Sequence, residues 1–143
     1  MDIHPLSVGE VELIAHNLAV QWFEQDEPIP DFSTRYPDKL ESCLQQPFTS
    51  FIDLEPYPTL KDKAAILFYL LVKNHPFLNG NKRLAVTTML VFLAKNNMWI
   101  DTSPQALYQV AKTVASSRPQ DREGIIQTLT KFISDYLVEF PNK

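Results

Sequence analysis

One short segment of the sequence concentrates side chains that can bind an anion and move a proton. The segment 75–83 reads His-Pro-Phe-Leu-Asn-Gly-Asn-Lys-Arg. A histidine can accept a proton from a hydroxyl group near neutral pH. Lysine, arginine and asparagine side chains can donate hydrogen bonds to phosphate oxygens. The segment therefore predicts a loop where a phosphorylated ligand meets a general base.

The order of the residues indicates how the chain presents these groups. His75 precedes Pro76, and the proline ring disfavours helix at the residue before it, so we expect the imidazole to be turned out of the preceding helix. Gly80 can adopt a positive φ and lets a ligand approach the backbone closely. The residues after Gly80 begin the next helix, whose first N–H groups lack intrahelical partners and attract an anion together with the helix dipole.

Further side chains of the segment have assignable tasks. We expect Lys82 and Arg83 to add mobile positive charge at the start of the helix, and Asn81 to donate an amide N–H to a phosphate oxygen. Phe77 is interpreted as a core anchor that positions the loop. Taken singly, these features also fit an ordinary Asn-Gly turn or a solvated cationic pair. Their combination between two apolar stretches favours a functional loop.

Apolar residues at helical spacing predict an all-α domain of about six helices around this loop. Glycine is scarce, with three residues, whereas eleven prolines divide the chain. Thr59, with an acidic residue three positions later, and Ser103, before a proline, have the pattern of helix N-caps. The helices are expected over about 7–24, 37–46, from Thr59 to the loop, from near 82 to 97, 103–117 and 122–138.

The two helices that flank the loop are apolar nearly all round over 64–72 and 84–93, so we expect both to be central. Segment 47–58 is too short and proline-bounded for a helix and fits a small hairpin or flap. Met98–Ile100 fits a short extended piece. Two further sets of side chains are each expected to share one helix face. They are Val11, Ile14, Ala15, Leu18 and Trp22 in the first helix, and Ile125, Leu129, Phe132, Ile133 and Tyr136, facing inward, in the sixth.

The composition of the chain limits the kinds of protein that it can be. The chain of 143 residues, with 45% hydrophobic and 21% charged residues, fits one domain spanning 1–143. Its net charge of −4 shows no clear basic surface, so nucleic acid is not expected as the main partner. The longest apolar stretches fall short of the roughly 20 residues that span a bilayer. A single cysteine, Cys43, fits a reducing compartment, and we expect a soluble cytoplasmic protein.

Other chemical templates fit less well. The sequence contains no G-x-x-x-x-G-K-[ST] phosphate loop and no G-x-S-x-G nucleophile motif. Its three histidines, His4, His16 and His75, are too dispersed for a recognisable zinc pattern. The loop at 75–83 therefore remains the candidate site.

The nine residues of this loop resemble the signature of the Fic/Doc superfamily, H-x-F-x-[DE]-[GA]-N-[GK]-R. Seven of its nine positions are constrained, and six of those seven match here. Residues 57–74 and the upstream Leu40-Glu41-Ser42 also look like Doc-type sequences, so the resemblance covers roughly 40–99. It implies a compact Fic-type helical fold. It also implies that His75 is the base that deprotonates a target hydroxyl and that Phe77 is the buried anchor. The implied phosphate-binding residues are Gly80, Asn81, Lys82 and Arg83.

Two positions resemble the death-on-curing (Doc) branch. Members that transfer AMP usually have glycine where this chain has Lys82, and a further arginine where it has Val86. The Doc resemblance implies a kinase-like toxin that transfers phosphate from ATP, with Mg²⁺, to a threonine of a translation factor such as EF-Tu. It also implies pairing with a Phd-like antitoxin. The alternatives are a Fic-type AMP transferase and a nonenzymatic fold that binds a nucleotide or a partner.

One position departs from the signature. The acidic residue that coordinates Mg²⁺ in the family is Asn79 here, which offers one neutral carbonyl oxygen. The sequence also lacks a clean [ST]-x-x-x-E-[GN] self-inhibition motif, since Pro119 stands where the hydroxyl residue before Glu123-Gly124 would be. We therefore expect inhibition to come from a separate chain, and metal binding to be weak.

Overall fold

The computed structural model describes residues 2–22 and 28–140. Helix α1 runs through three consecutive segments, Val8–Glu10, Val11–His16 and Asn17–Gln21. The later helices are α2 (Pro37–Gln45), α3 (Leu60–Asn74), α4 (Asn81–Lys95), α5 (Pro104–Ala115) and α6 (Arg122–Tyr136). Within the described residues the expected class, an all-α domain of about six helices, is confirmed.

Helices α3 and α4 form the centre of the fold. Every residue of 63–72 and of 83–93 is buried, as their nearly continuous apolar sequence predicts. The two helices pack on each other, and α1, α2, α5 and α6 pack around them. The loop between α3 and α4 is therefore held at one end of a packed helix pair.

The predicted caps place the ends of these helices. The Thr59 hydroxyl accepts a hydrogen bond from the Asp62 N–H, while the Thr59 N–H donates to the Asp62 carboxylate, which closes a capping box at the start of α3. The Ser103 hydroxyl accepts from the Ala106 N–H at the start of α5, with Pro104 in the first helical position. Both N-cap predictions are confirmed.

The C-terminal end of the sixth helix differs from the expectation. Helix α6 ends at Tyr136, because Leu137–Glu139 pairs as strand β2, antiparallel to strand β1, Met98–Ile100. The prediction that the helix continues to Val138 is wrong, while the extended piece at Met98–Ile100 is confirmed. Tyr136 lies beside this change of direction and is 42% exposed, so its predicted inward position is also wrong.

Helix α1 contains a π-helical segment that was not predicted from its sequence. Its middle segment, Val11–His16, has π-helical hydrogen bonding. The buried positions are Val11, Ala15 and Ala19, whereas Ile14 is half exposed, so the single apolar face predicted to include Ile14 is wrong at that residue. The expected end of this helix at Glu24 lies outside the described residues.

The predicted hairpin is present but minimal. Phe51 and Leu54 exchange two backbone hydrogen bonds, of 2.7 and 3.0 Å, around a turn in which Asp53 has φ 59°. This hairpin precedes the N-terminus of α3, and the 15 residues of α3 span about 22 Å from that end to the loop. It therefore lies at the far end of the helix pair from His75. No helix among the described residues is long and apolar enough to span a bilayer.

Lys63 anchors the connection between α2 and α3. Its side chain is almost fully buried, and its ammonium donates to the backbone carbonyls of Pro47 and Tyr57 and to the Glu55 carboxylate. The ammonium also lies 4.8 Å from the centre of the Phe48 ring. Nothing in the sequence marks this lysine, which simply begins an apolar run. Its three acceptors satisfy the three donors of the buried cation.

We expect Lys63→Ala to lower the free energy of unfolding by about 2–3 kcal/mol, because two carbonyl groups lose a charged donor inside the protein. The half-exposed Glu55 adds little, since water screens it. Lys61→Ala is the matched control in the same helix turn. Among the described residues its ammonium reaches only the Ser134 hydroxyl, at 3.5 Å, and its loss should change stability by less than about 0.5 kcal/mol. Urea unfolding followed by circular dichroism measures both. Equal effects of the two substitutions would contradict the assigned role of Lys63.

Candidate active site

His75 stands at the end of α3 in an unusual backbone conformation. It adopts the left-handed region, with φ 52° and ψ 61°, and its side chain is exposed. For a residue with a Cβ this conformation costs about 1–2 kcal/mol, so the surrounding structure must hold it. The prediction that the imidazole is turned out of the helix is confirmed. The ring is thereby placed in solvent at the mouth of the loop.

The side chain of Asn81 holds the loop closed. Its Oδ1 accepts from the Phe77 N–H and its Nδ2 donates to the Phe77 carbonyl oxygen, both at 3.0 Å. Because one partner must donate and the other must accept, this pair fixes the orientation of the amide. Phe77 is buried, as predicted, so the clamp joins the first turn of α4 to the anchor of the loop.

The same side chain lies beside the histidine. Nδ2 of Asn81 is 3.5 Å from Nδ1 of His75, at the long limit of a hydrogen bond. Asn81 was expected to donate to a phosphate oxygen, and that role stays a prediction. The structure gives its amide a different task, which is to shape the loop.

The N-terminus of α4 opens next to His75. Gly80 is the N-cap and supplies no side chain, and the first hydrogen bond of the helix runs from the Leu84 N–H to the Gly80 carbonyl, at 3.0 Å. The N–H groups of residues 81–83 are therefore left without helical partners. Lys82 is half-buried in this turn, and among the described residues its ammonium makes no hydrogen bond or ion pair. These donors and this charge can receive an anion.

Arg83 is placed differently from the expectation. Its side chain is 3% exposed, and Nη2 donates to the carbonyl oxygens of Ala19 and Trp22, at 2.9 and 2.7 Å. The guanidinium thus binds the carbonyl end of α1, where a positive charge is favourable. The prediction that Arg83 is mobile charge is wrong, because the C-terminus of α1 engages it. Phosphate binding by Arg83 remains a prediction, and Nη2 of its guanidinium is already engaged by these carbonyls.

Residues 28–36, here called the covering segment, lie across the loop. The Tyr36 N–H donates to the Pro76 carbonyl oxygen at 2.8 Å, and the Phe32 ring packs on the Phe77 ring with centroids 5.9 Å apart. Nε2 of His16 in α1 lies 2.9 Å from the Pro30 carbonyl oxygen. The covering segment is therefore held by α1 on one side and by the loop on the other.

The covering segment also fills the space above Gly80. Gly80 has φ 73° and is buried, so the positive φ predicted for it is confirmed. A Cβ at this position would lie 2.5 Å from Cδ1 of Ile29. In this structure the group that approaches the glycine closely is Ile29, and the approach of a ligand to Gly80 stays a prediction.

A family profile described as Fic/DOC family matches residues 5–93, which include α1, the covering segment, α2, α3, the loop and most of α4. The chain belongs to the Fic/DOC family. A curated protein named Toxin Doc, from Mycolicibacterium smegmatis, is 36% identical to the chain over 59 residues, which is 41% of this chain and 45% of that protein. The match thus spans less than half the length of that relative. No solved structure matches the chain significantly.

The acidic position of the Fic/DOC signature is an exposed asparagine in this member. Asn79 makes no side-chain hydrogen bond to another described residue. The described residues also contain no group of three histidine, cysteine, aspartate or glutamate side chains placed to hold a metal ion. Mg²⁺ is usually held by one or two carboxylates together with phosphate oxygens. The neutral oxygen of Asn79 does not provide that donor set, so the loop as built does not fit Mg²⁺.

Two other positions bear on the chemistry of this Fic/DOC loop. Val86 is fully buried in the core, so α4 presents no second arginine there. Cys43 lies under the last turn of α3, with its Sγ 4.0 Å from Nδ2 of Asn74, and burial raises the pKa of its thiol to about 11. A thiol with so high a pKa is not a nucleophile at neutral pH.

Sequence reasoning missed the residues that cover the loop. Ile29, Phe32 and Tyr36 all touch it, but they lie between the helices expected over about 7–24 and 37–46, where no contact is predicted from the sequence. The available signal was a lone isoleucine between Pro28 and Pro30, followed by aromatic residues in a polar stretch. Such a pattern indicates an apolar contact without naming its partner.

We expect Gly80→Ala to destabilise the protein by about 1–2 kcal/mol, because its left-handed backbone disfavours a Cβ. The contact with Ile29 adds to this cost, so Ile29→Ala should reduce the effect of Gly80→Ala by about 0.5–1 kcal/mol. Denaturant unfolding of the wild type, the two single variants and the double variant measures this coupling. An identical cost of Gly80→Ala in both backgrounds would show that Ile29 does not occupy the space above the glycine.

Proposed function

We propose that this chain is a Doc-like toxin that transfers phosphate from ATP to a hydroxyl group of a protein. Membership of the Fic/DOC family and the likeness to a protein named Toxin Doc support this proposal. The observation that carries it is geometric. The exposed His75 lies six residues before the start of α4, whose first N–H groups lack helical partners. The proposed base and the proposed anion site are therefore next to each other on one loop.

In the proposed reaction each group has one task. His75 takes the proton from the target hydroxyl as its oxygen forms a bond to the γ-phosphorus of ATP. The bond between that phosphorus and the bridging oxygen breaks, and ADP leaves with the electron pair. The N–H groups of residues 81–83 and the Lys82 ammonium stabilise the charge on the phosphate oxygens. Gly80 shapes this turn, Asn81 holds it closed, and Arg83 joins the start of α4 to the carbonyls of α1.

The residues at two positions favour transfer of phosphate over transfer of AMP. Lys82 stands where AMP-transferring relatives usually have glycine, and the buried Val86 stands where they have a further arginine. Without that arginine, the loop has fewer cations to hold a triphosphate for attack at its α-phosphorus. An AMP transferase remains the second enzymatic candidate.

The target and the partner follow from the resemblance to Doc. We propose a threonine of a translation factor such as EF-Tu as the target, so that modification stops protein synthesis in the cytoplasm. A Phd-like antitoxin would restrain the toxin. The absence of a clean self-inhibition motif before Glu123-Gly124 supports inhibition by a separate chain.

A nonenzymatic role has one observation in its favour. Asn79 leaves the loop without the carboxylate that binds Mg²⁺ in the signature. A protein with this loop could bind a nucleotide or a partner through the N-terminus of α4 without turning ATP over.

Labelled ATP distinguishes these candidates. The purified protein is incubated with cell lysate and with ATP labelled on either the γ- or the α-phosphate, and the proteins are then separated. The proposal predicts γ-label on a protein target and no α-label. Transfer of α-label would identify an AMP transferase, and absence of both labels would support the nonenzymatic role.

We expect His75→Ala to reduce the rate of γ-label transfer by about 10²–10⁴-fold, because the general base is lost. Because His75 is exposed, the substitution should leave the fold intact and the melting temperature unchanged. His4→Ala is the matched control. His4 is also exposed, lies near Asn96 at the opposite end of α4, and should leave the rate unchanged.

The same assay can also contradict the assignment. Transfer at the wild-type rate by the His75 variant would remove this histidine from the mechanism. A comparable loss in the His4 variant would show that the assay responds to something other than the loop.

A further inference from the structure

The dipeptide Asn79-Gly80 joins an asparagine to a backbone nitrogen that can attack it. In such a pair the nitrogen of the second residue attacks the side-chain amide carbon of the first. Glycine leaves this nitrogen unshielded because it has no Cβ. Asn79 is the one asparagine in the sequence that precedes a glycine.

The structure leaves both reacting groups unengaged. The Asn79 side chain is exposed, and no described residue binds it. Gly80 is the N-cap of α4, so its N–H takes no part in the helix, and no described residue accepts a hydrogen bond from it. Nothing in the described part of the chain therefore holds the amide away from the nitrogen.

The surroundings also favour the charges that the reaction creates. Asn79 immediately precedes the N-cap of α4, where the helix dipole is positive. The ammonium of Lys82 lies in the first turn of the same helix. Both stabilise the anion of the Gly80 nitrogen during attack, and both stabilise a carboxylate formed at position 79.

We propose that Asn79 deamidates spontaneously in the folded protein. The Gly80 nitrogen loses its proton and forms a bond to Cγ of Asn79, and the bond from Cγ to the side-chain nitrogen breaks as ammonia leaves. Water then opens the resulting five-membered imide at one of its two carbonyl carbons. The products are aspartate or isoaspartate at position 79, each with one negative charge more than the original amide.

The consequence rests on the proposed function. A carboxylate at position 79 supplies the hard anionic oxygen that Mg²⁺ prefers and that the unmodified loop lacks. Deamidation thus gives the loop one carboxylate of the kind that holds Mg²⁺ together with phosphate oxygens. The ability of the protein to hold metal-bound phosphates then increases with its age.

Peptide mass mapping tests the modification itself. The native protein is aged in mildly alkaline buffer and then digested with trypsin, which releases residues 74–82 as one peptide. This peptide contains two internal controls. Asn74 and Asn81 both lie in helices, and both amides are engaged, with Cys43 and Phe77 respectively.

Because only Asn79 precedes a residue without a Cβ, we expect it to convert about tenfold faster than either control. A denatured sample, aged alongside, should convert Asn79 faster still, since Gly80 is buried beneath Ile29 in the fold. Conversion in the denatured sample but not in the native one would overturn the proposal. Equal conversion of Asn79 and Asn81 in the native protein would also overturn it.

Calorimetric titration with Mg²⁺ in the presence of ADP tests the consequence without using activity. The variant Asn79→Asp should bind Mg²⁺ at least about tenfold more tightly than freshly purified wild type, because a charged oxygen replaces a neutral one. Asn79→Ser is the neutral control and should not bind more tightly. If Asn79→Asp gains no affinity, the metal role of position 79 fails, while the mass measurement still decides the modification.

Discussion

The burial of α3 and α4 against each other constrains everything else in this fold. Both helices are apolar on nearly every face, so both must be surrounded by other elements. Fully burying one leucine or phenylalanine side chain stabilises a protein by about 1.5–3 kcal/mol, and the pair contains many such residues. The turn that joins the two helices is therefore fixed in position by their packing. Its polar residues occur at the one end where the chain must leave the core and return.

Within that turn, local contacts decide what is exposed. The two hydrogen bonds from Asn81 to Phe77 close the loop, and the buried Phe77 ring ties it to the core. His75 is thereby held in a left-handed conformation that few residues with a Cβ adopt. The same contacts leave the first N–H groups of α4 open. A rigid helix pair thus presents the proposed base and the proposed anion site with little freedom to separate.

Much of this arrangement could be predicted from local sequence. The capping pattern at Thr59 places the start of α3, and Gly80 places the start of α4. The exposure of His75 follows from Pro76. Each of these features depends on residues within a few positions of one another, which is why spacing and residue type were sufficient.

The features that could not be predicted depend on distant contacts. Arg83 looks like a mobile cation in the sequence, but the carbonyl end of α1, more than sixty residues away, engages it. Ile29 lies between two predicted helices with no predicted contact, yet it fills the space above Gly80. Lys63 looks in the sequence like the last polar residue before the apolar run of α3, but three acceptors from the preceding connection surround it.

Nuclear magnetic resonance tests the central claim most directly, because that claim is that the N-terminus of α4 receives the phosphates beside His75. Backbone amide signals are followed while the protein is titrated with ATP. The account predicts that the largest shifts occur in the N–H groups of Asn81, Lys82 and Arg83. ATP binding that leaves these three signals unchanged, with the largest shifts in another part of the chain, would contradict it.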